Sequence, residues 1–215
     1  MSLSLGSTTI GSLYLGSTKI GEAYLGSTKV YASIDPLNPL GLPPFTIRVR
    51  WSEWGSPSKG DSQTLVDPTN HIYDVTYNTT DWSHFFEFDS GLIEILGANS
   101  TGVTTLESAF AYCSYVESSA VFDTRSVTNI SSVFENATRL TALPMWDTGN
   151  VTNADKAFSI AYDVAANVLE MYQQLSTQTV PPVSHSGTFM NCGVRAAGGE
   201  AILRQIPASW GGLGS

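Results

Sequence analysis

Val127-Thr128-Asn129-Ile130-Ser131-Ser132-Val133-Phe134-Glu135-Asn136-Ala137 is the stretch from which the fold is read, because its pattern returns 24 residues earlier and 24 residues later. Val103, Leu106, Phe110 and Cys113 hold the same phase before it, Val151, Ala154, Phe158 and Ala161 after it, and Phe86 falls in phase with the phenylalanines. Apolar steps of three, four and three lie on one face of a helix. Each unit is therefore expected to carry a helix of about ten residues. Thr104 with Glu107 has the spacing of a capping box and Thr152 with Asp155 resembles one, which places the helix start at one point of the unit. Residues 116–122 and 140–146 then have β character and close on Asp123 and Asp147. One helix and one short strand per coil predict an α/β solenoid of 24-residue coils, parallel sheet plus helices, over residues 79–215. The regularity breaks after Ala161, where residues 162–175 read as a lengthened helix and Val180-Pro-Pro-Val183 as its break. Phe189 and Cys192 repeat the step of Phe110 and Cys113, and residues 199–206 read as a short capping helix.

Before the repeats, Phe45, Ile47, Val49 and Trp51 alternate along one face of an expected strand, and residues 71–77 read as a second. Residues 45–78 are expected to form a β-cap over the first coil, since the end of a stack otherwise leaves its core open. Residues 35–44, with four prolines, read as a linker. Residues 1–34 form a β-rich segment of three decamers in register, each with a Gly-Ser-Thr turn between two β-prone pieces. One decamer buries too little to stand alone. Leu5, Leu15, Tyr14, Leu25 and Tyr24 are thus the expected attachment or oligomerisation residues, meeting other proteins or copies of the chain through residues 2–31.

The unit Phe-x-x-Cys/Ala-x-x-Leu/Val, followed by Phe/Trp-Asp-Thr and Val-Thr-Asn, resembles the BspA-like leucine-rich repeat of bacterial surface proteins and of phage proteins. The likeness spans residues 79–193 and departs at Ala137, Ala154 and Ala161 and at the insertion after Ala161. It implies a leucine-rich-repeat-like solenoid that adheres or binds and does not catalyse. The decamer Tyr-Leu-Gly-Ser-Thr-Lys-Ile/Val is similar to amino-terminal segments of phage tail or fibre components. Together the two resemblances imply a phage virion structural protein, a tail, fibre or spike component that displays a solenoid to a host-surface glycan or protein. The runner-up is a bacterial cell-surface leucine-rich-repeat adhesin, and a third reading is a virion decoration without a ligand. Symmetry of fibres favours a homo-oligomer, a trimer first.

Composition narrows the chemistry. Ten Lys and Arg against 19 Asp and Glu give a net charge of -9 with no basic run, so nucleic acid is not an expected partner. No stretch is apolar enough to span a bilayer, so no membrane insertion is expected, and Met1-Ser2-Leu3-Ser4-Leu5-Gly6 lacks the signature of an export signal, which favours a virion location. No catalytic, metal or cofactor motif occurs: His71, His84 and His185 have no ligand spacing, and Cys113 and Cys192 read as buried free thiols. Asp123 and Asp147 recur at turns, where Asx side chains hydrogen-bond the backbone. The candidate ligand contacts are Trp54, in the loop Glu53-Trp54-Gly55-Ser56-Pro57, and Trp51, which shares its strand face with Ile47 and Val49. Trp82 falls in the phase of Leu106 and Ile130 and is expected in the core.

Overall fold

The computed structural model describes residues 35–214 and four short strands before them: β1 (Tyr14–Leu15), β2 (Thr18–Lys19), β3 (Glu22–Leu25) and β4 (Thr28–Ala32). β1 pairs antiparallel with β2 and β3 with β4, with Leu15 opposite Thr18 and Leu25 opposite Thr28. Of the expected attachment residues, Tyr14 and Leu15 stand in β1, Tyr24 and Leu25 in β3, and Leu5 lies outside the described residues.

Five further strands make one open sheet: β5 (Thr46–Trp51), β6 (Ser62–Asp67), β7 (Ile72–Thr76), β8 (Leu92–Asn99) and β9 (Ser118–Ser119), in the order β6-β7-β5-β8-β9. β5 is central because its alternation serves both faces. Ile47, Val49 and Trp51 point into the core, while Arg48 and Arg50 meet their register partners on the other face, Asp74 at 2.6 Å and Glu94 at 3.0 Å. β6, which the sequence reading did not anticipate, is an exposed edge strand. The proline-rich segment before β5 is tied down: Leu42 is buried, and its carbonyl accepts from Asn38 Nδ2 and, at 2.8 Å, from Asn99 Nδ2 at the end of β8.

The repeat units stack behind this sheet. β8 pairs in parallel with β9, and the following coils add single backbone contacts, Thr141 N–H to Glu117 O and Ala165 N–H to Thr141 O. On another side, Leu106, Ser108, Phe110 and Tyr112 donate their amides to the carbonyls of Asn129, Ser131, Val133 and Glu135. Those residues' own neighbours, Ile130, Ser132, Phe134 and Asn136, donate in turn to Asn153, Asp155, Ala157 and Ser159. Thr104, Thr128 and Thr152 each send a hydroxyl to the carbonyl 24 residues back.

This arrangement overturns the expected fold class. The chain is not an α/β leucine-rich-repeat-like solenoid of parallel sheet plus helices: it is built mainly on the mixed five-stranded sheet, and the units carry no helix. Among the described residues the two α-helices are α1 (Val168–Thr177) and α2 (Gly199–Leu203), with a single 3-10 turn at Ala208–Trp210. The cause is visible in the backbone. Ser108 and Tyr112, Ser132 and Asn136, and Lys156 and Ile160 adopt left-handed φ between 53° and 62°. A left-handed residue at every fourth position breaks a right-handed helix, at a cost of about 1–2 kcal/mol each. It also turns alternate amides outward, and the neighbouring unit accepts them. The remaining amides close local turns, as Ala109 does on Leu106 and Ala111 on Ser108. The apolar steps of three and four thus describe a string of four-residue turns. The capping-box reading fails for the same reason: Thr105, Asn129 and Asn153, one position later, accept the amides of Glu107, Ser131 and Asp155 with their side chains.

One core runs through sheet and stack. Phe86, Phe110 and Phe134 stack with centroids 6.1 and 5.2 Å apart, Trp146 joins Phe134 at 5.6 Å, and Phe158 meets Phe189 at the same distance. Trp82 is fully buried. Trp210 covers the far end, stacked on His185 at 4.1 Å. α1 begins at Val168, later than the helix expected from residue 162, and packs Met171 and Leu175 into this core.

Candidate functional site

Where the sheet meets the first unit, a groove of about 620 Å³ opens, lined among others by Trp51, Glu53, Trp54, Asp89, Gly91 and Tyr115. Trp51 ends β5 with its ring in the core, only 5% exposed, so it forms the floor. The chain then leaves the sheet, held at Ser52, whose amide donates to Gly91 O at 2.8 Å. Three residues after Trp51, the Trp54 ring is 92% exposed. Both tryptophans singled out in the sequence therefore border one groove, in different roles. Gly91 is required there, because a β-carbon on it would sit 2.2 Å from Trp51 Nε1. Tyr115 comes from the next unit and carries the Arg139 guanidinium over its ring at 4.5 Å. Beside the groove in sequence, Phe88 and Tyr112 form an exposed stacked pair at 4.6 Å.

Asp89 is the residue that sequence reasoning missed. The signal was present: counted in the 24-residue register it occupies the phase of Cys113, Ala137 and Ala161, all buried core positions. Its Oδ2 is buried without a hydrogen-bond partner, and burial lifts the carboxyl above its ordinary range, the charge of Lys59 opposing. The Cys113 thiol below donates to Phe86 O at 3.0 Å and is pushed up to about 12 by burial, so it stays protonated and unreactive. Burial likewise raises Cys192.

The turn aspartates take structural parts. Asp123 Oδ1 accepts the Arg125 amide at 3.1 Å, and the carboxylate also holds the Arg125 guanidinium, which keeps it below the usual range. Asp147 Oδ1 accepts from Gly149 N–H at 2.9 Å. Among the described residues no three His, Cys, Asp or Glu side chains gather to hold a metal ion, and no helix is long and apolar enough to cross a membrane. What the groove offers is an exposed aromatic plane, two carboxylates and a buried tryptophan as its floor.

The repeated units decide the kinship. The chain belongs to the DUF285 family. The family model, described as Mycoplasma protein of unknown function, matches residues 76–185, and the family is associated with BspA-like repeat proteins. The matched stretch runs from the end of β7 through the repeat units and includes Asp89, Gly91 and Tyr115; Trp51 and Trp54 precede it. No curated protein and no solved structure matches the chain.

Proposed function

We propose that the protein is a non-enzymatic virion component of a tail, fibre or spike, which presents the groove to a host surface and binds a glycan there. The observation that carries this reading is the Trp54 ring, 92% exposed at the rim of a groove whose floor is fixed. Exposed indole planes pack on the apolar face of sugar rings and act as binding hot spots. The decamers at residues 2–31 join the chain to other virion proteins or to copies of itself, a trimer first.

A second reading, a bacterial cell-surface adhesin, is favoured by the family description, which names a cellular bacterium. Both readings use the same groove and differ in where the protein sits. Antibody labelling distinguishes them: signal on particles supports the virion component, and signal on cells alone supports the adhesin. For the groove, the test is an immobilised panel of surface glycans, on which the chain binds at least one and Trp54→Ala loses it. Binding to none, or binding that Trp54→Ala leaves intact, would sink the glycan reading. Light scattering of the full chain and of a chain shortened to begin at Asp35 tests the decamers, with an oligomer expected to fall to a monomer.

A further inference from the structure

We infer that the ligand of this groove is a cationic glycan, a saccharide bearing free amino groups, with Asp89 as the counter-ion and the Trp54 ring as the stacking plane. The inference rests on the glycan reading above and narrows it to one chemistry.

The first ground is charge. Among the described residues the charged side chains that line the groove are Glu53 and Asp89, both carboxylates, with no lysine, arginine or histidine. A phosphorylated or uronic-acid glycan would bring a like charge against them and be repelled, while an ammonium group is attracted. The second ground is the aromatic lining. The faces of Trp and Tyr rings attract cations; the Tyr115 ring is occupied by the guanidinium of Arg139, which leaves the exposed Trp54 ring for the ligand. An amino sugar offers both an apolar ring face for Trp54 and a cation for the carboxylates.

The third ground is the departure from the repeat. At the phase of Asp89 the later units place Cys113, Ala137 and Ala161, each fully buried, and the irregular last unit places Cys192. A small apolar residue therefore satisfies the fold at this point. A carboxylate there buries one oxygen with no partner, which is unfavourable for the free protein. Asp74 is matched by Arg48, Glu94 by Arg50 and Asp123 by Arg125, whereas the half-buried Asp89, like Asp67 on the exposed edge strand, has no ion-pair partner among the described residues. This departure from the repeat stands in the lining of the groove. The charged and titratable groups around it are Lys59, ahead of β6, Cys113 in the next unit, Glu87 on its own unit, Glu53 and Tyr115 in the groove lining, and Arg139 stacked on Tyr115. Lys59 is engaged with the backbone, its Nζ donating to Glu87 O at 2.6 Å.

The experiment is calorimetric titration of the full chain, in near-neutral buffer, with three oligosaccharides of equal length: glucosamine, N-acetylglucosamine and galacturonate. The glucosamine oligomer is expected to bind about tenfold more tightly than its acetylated counterpart, the worth of one desolvated ammonium contact. Galacturonate is expected to bind weakest. Asp89→Asn should erase the preference for the amine, while Trp54→Ala should weaken the binding of both oligomers. A melting temperature of Asp89→Asn at or above that of the parent verifies that the variant is folded. Equal or tighter binding of the acetylated or uronate oligomer overturns the inference and leaves the glycan reading standing. A preference for the amine that survives Asp89→Asn removes Asp89 from the site. Binding to none of the three sugars, with the glycan panel also blank, overturns the glycan reading and this inference with it.

Discussion

In β5 the side chains alternate between core and solvent, and the backbone does what that alternation demands, pairing antiparallel with β7 and β8. In the unit from Val103 to Cys113 the side chains also follow a regular spacing, yet the backbone does not adopt the helix that spacing suits. The difference lies in where the amides find acceptors. A strand has one way to satisfy its amides, through a neighbouring strand. A segment with apolar steps of three and four has two: its own carbonyls four residues back, or those of the next unit. The stack supplies the second, so every other amide turns outward, at the expense of a left-handed residue every fourth position.

The largest effect is expected in the stack. Phe134 touches Phe110 and Trp146 in the middle of the ring column, and Phe134→Ala should lose about 3–5 kcal/mol in a denaturant melt. A loss below about 1 kcal/mol would mean that the units do not share one core. On the sheet side, Gly91→Ala forces the Trp51 indole from its place. Its expected loss is about 1–3 kcal/mol, accompanied by a change in tryptophan fluorescence.

A smaller effect separates the two backbone solutions by its sign. Lys156 is exposed with φ 54°, so Lys156→Gly relieves the left-handed strain and should stabilise the protein by up to about 1 kcal/mol. Within a helix the same substitution would destabilise it by about 1 kcal/mol. A thermal melt of that single variant therefore decides between turn and helix in the repeat.

The smallest effect belongs to the junction between the regions. Because burial raises the Asp89 carboxyl, the folded state keeps that proton longer than the unfolded chain does. The stability it contributes is complete below the ordinary carboxyl range and declines as pH rises through its raised folded value. Asp89→Asn should remove that decline, so its stability falls less than the parent's from acidic towards neutral pH. Parallel stability curves would show that Asp89 has no perturbed titration.

Several of these features are written in single residues. The alternation of Ile47, Val49 and Trp51 led to β5, the burial of Cys113 and Cys192 followed from their phase, and the turn roles of Asp123 and Asp147 followed from Asx chemistry. The groove was legible only in part. Trp54 and Trp51 stand close in sequence, but Asp89, Gly91 and Tyr115 reach the groove through β8 and the next coil, and no local pattern announces that meeting. Asp89 could have been found by extending the repeat one unit towards the amino terminus and asking why a carboxylate stood at a cysteine's place.

What the sequence determined by itself was the interval of 24 residues, since units of equal length with apolar residues in one phase bring like positions together when they stack. It determined which side chains share the core for the same reason. The local conformation of each unit was decided by the tertiary structure. A helix and a string of left-handed turns bury the same Phe, Val and Cys positions, and only the presence of a neighbouring unit with free carbonyls at hydrogen-bonding distance makes the turns the better solution.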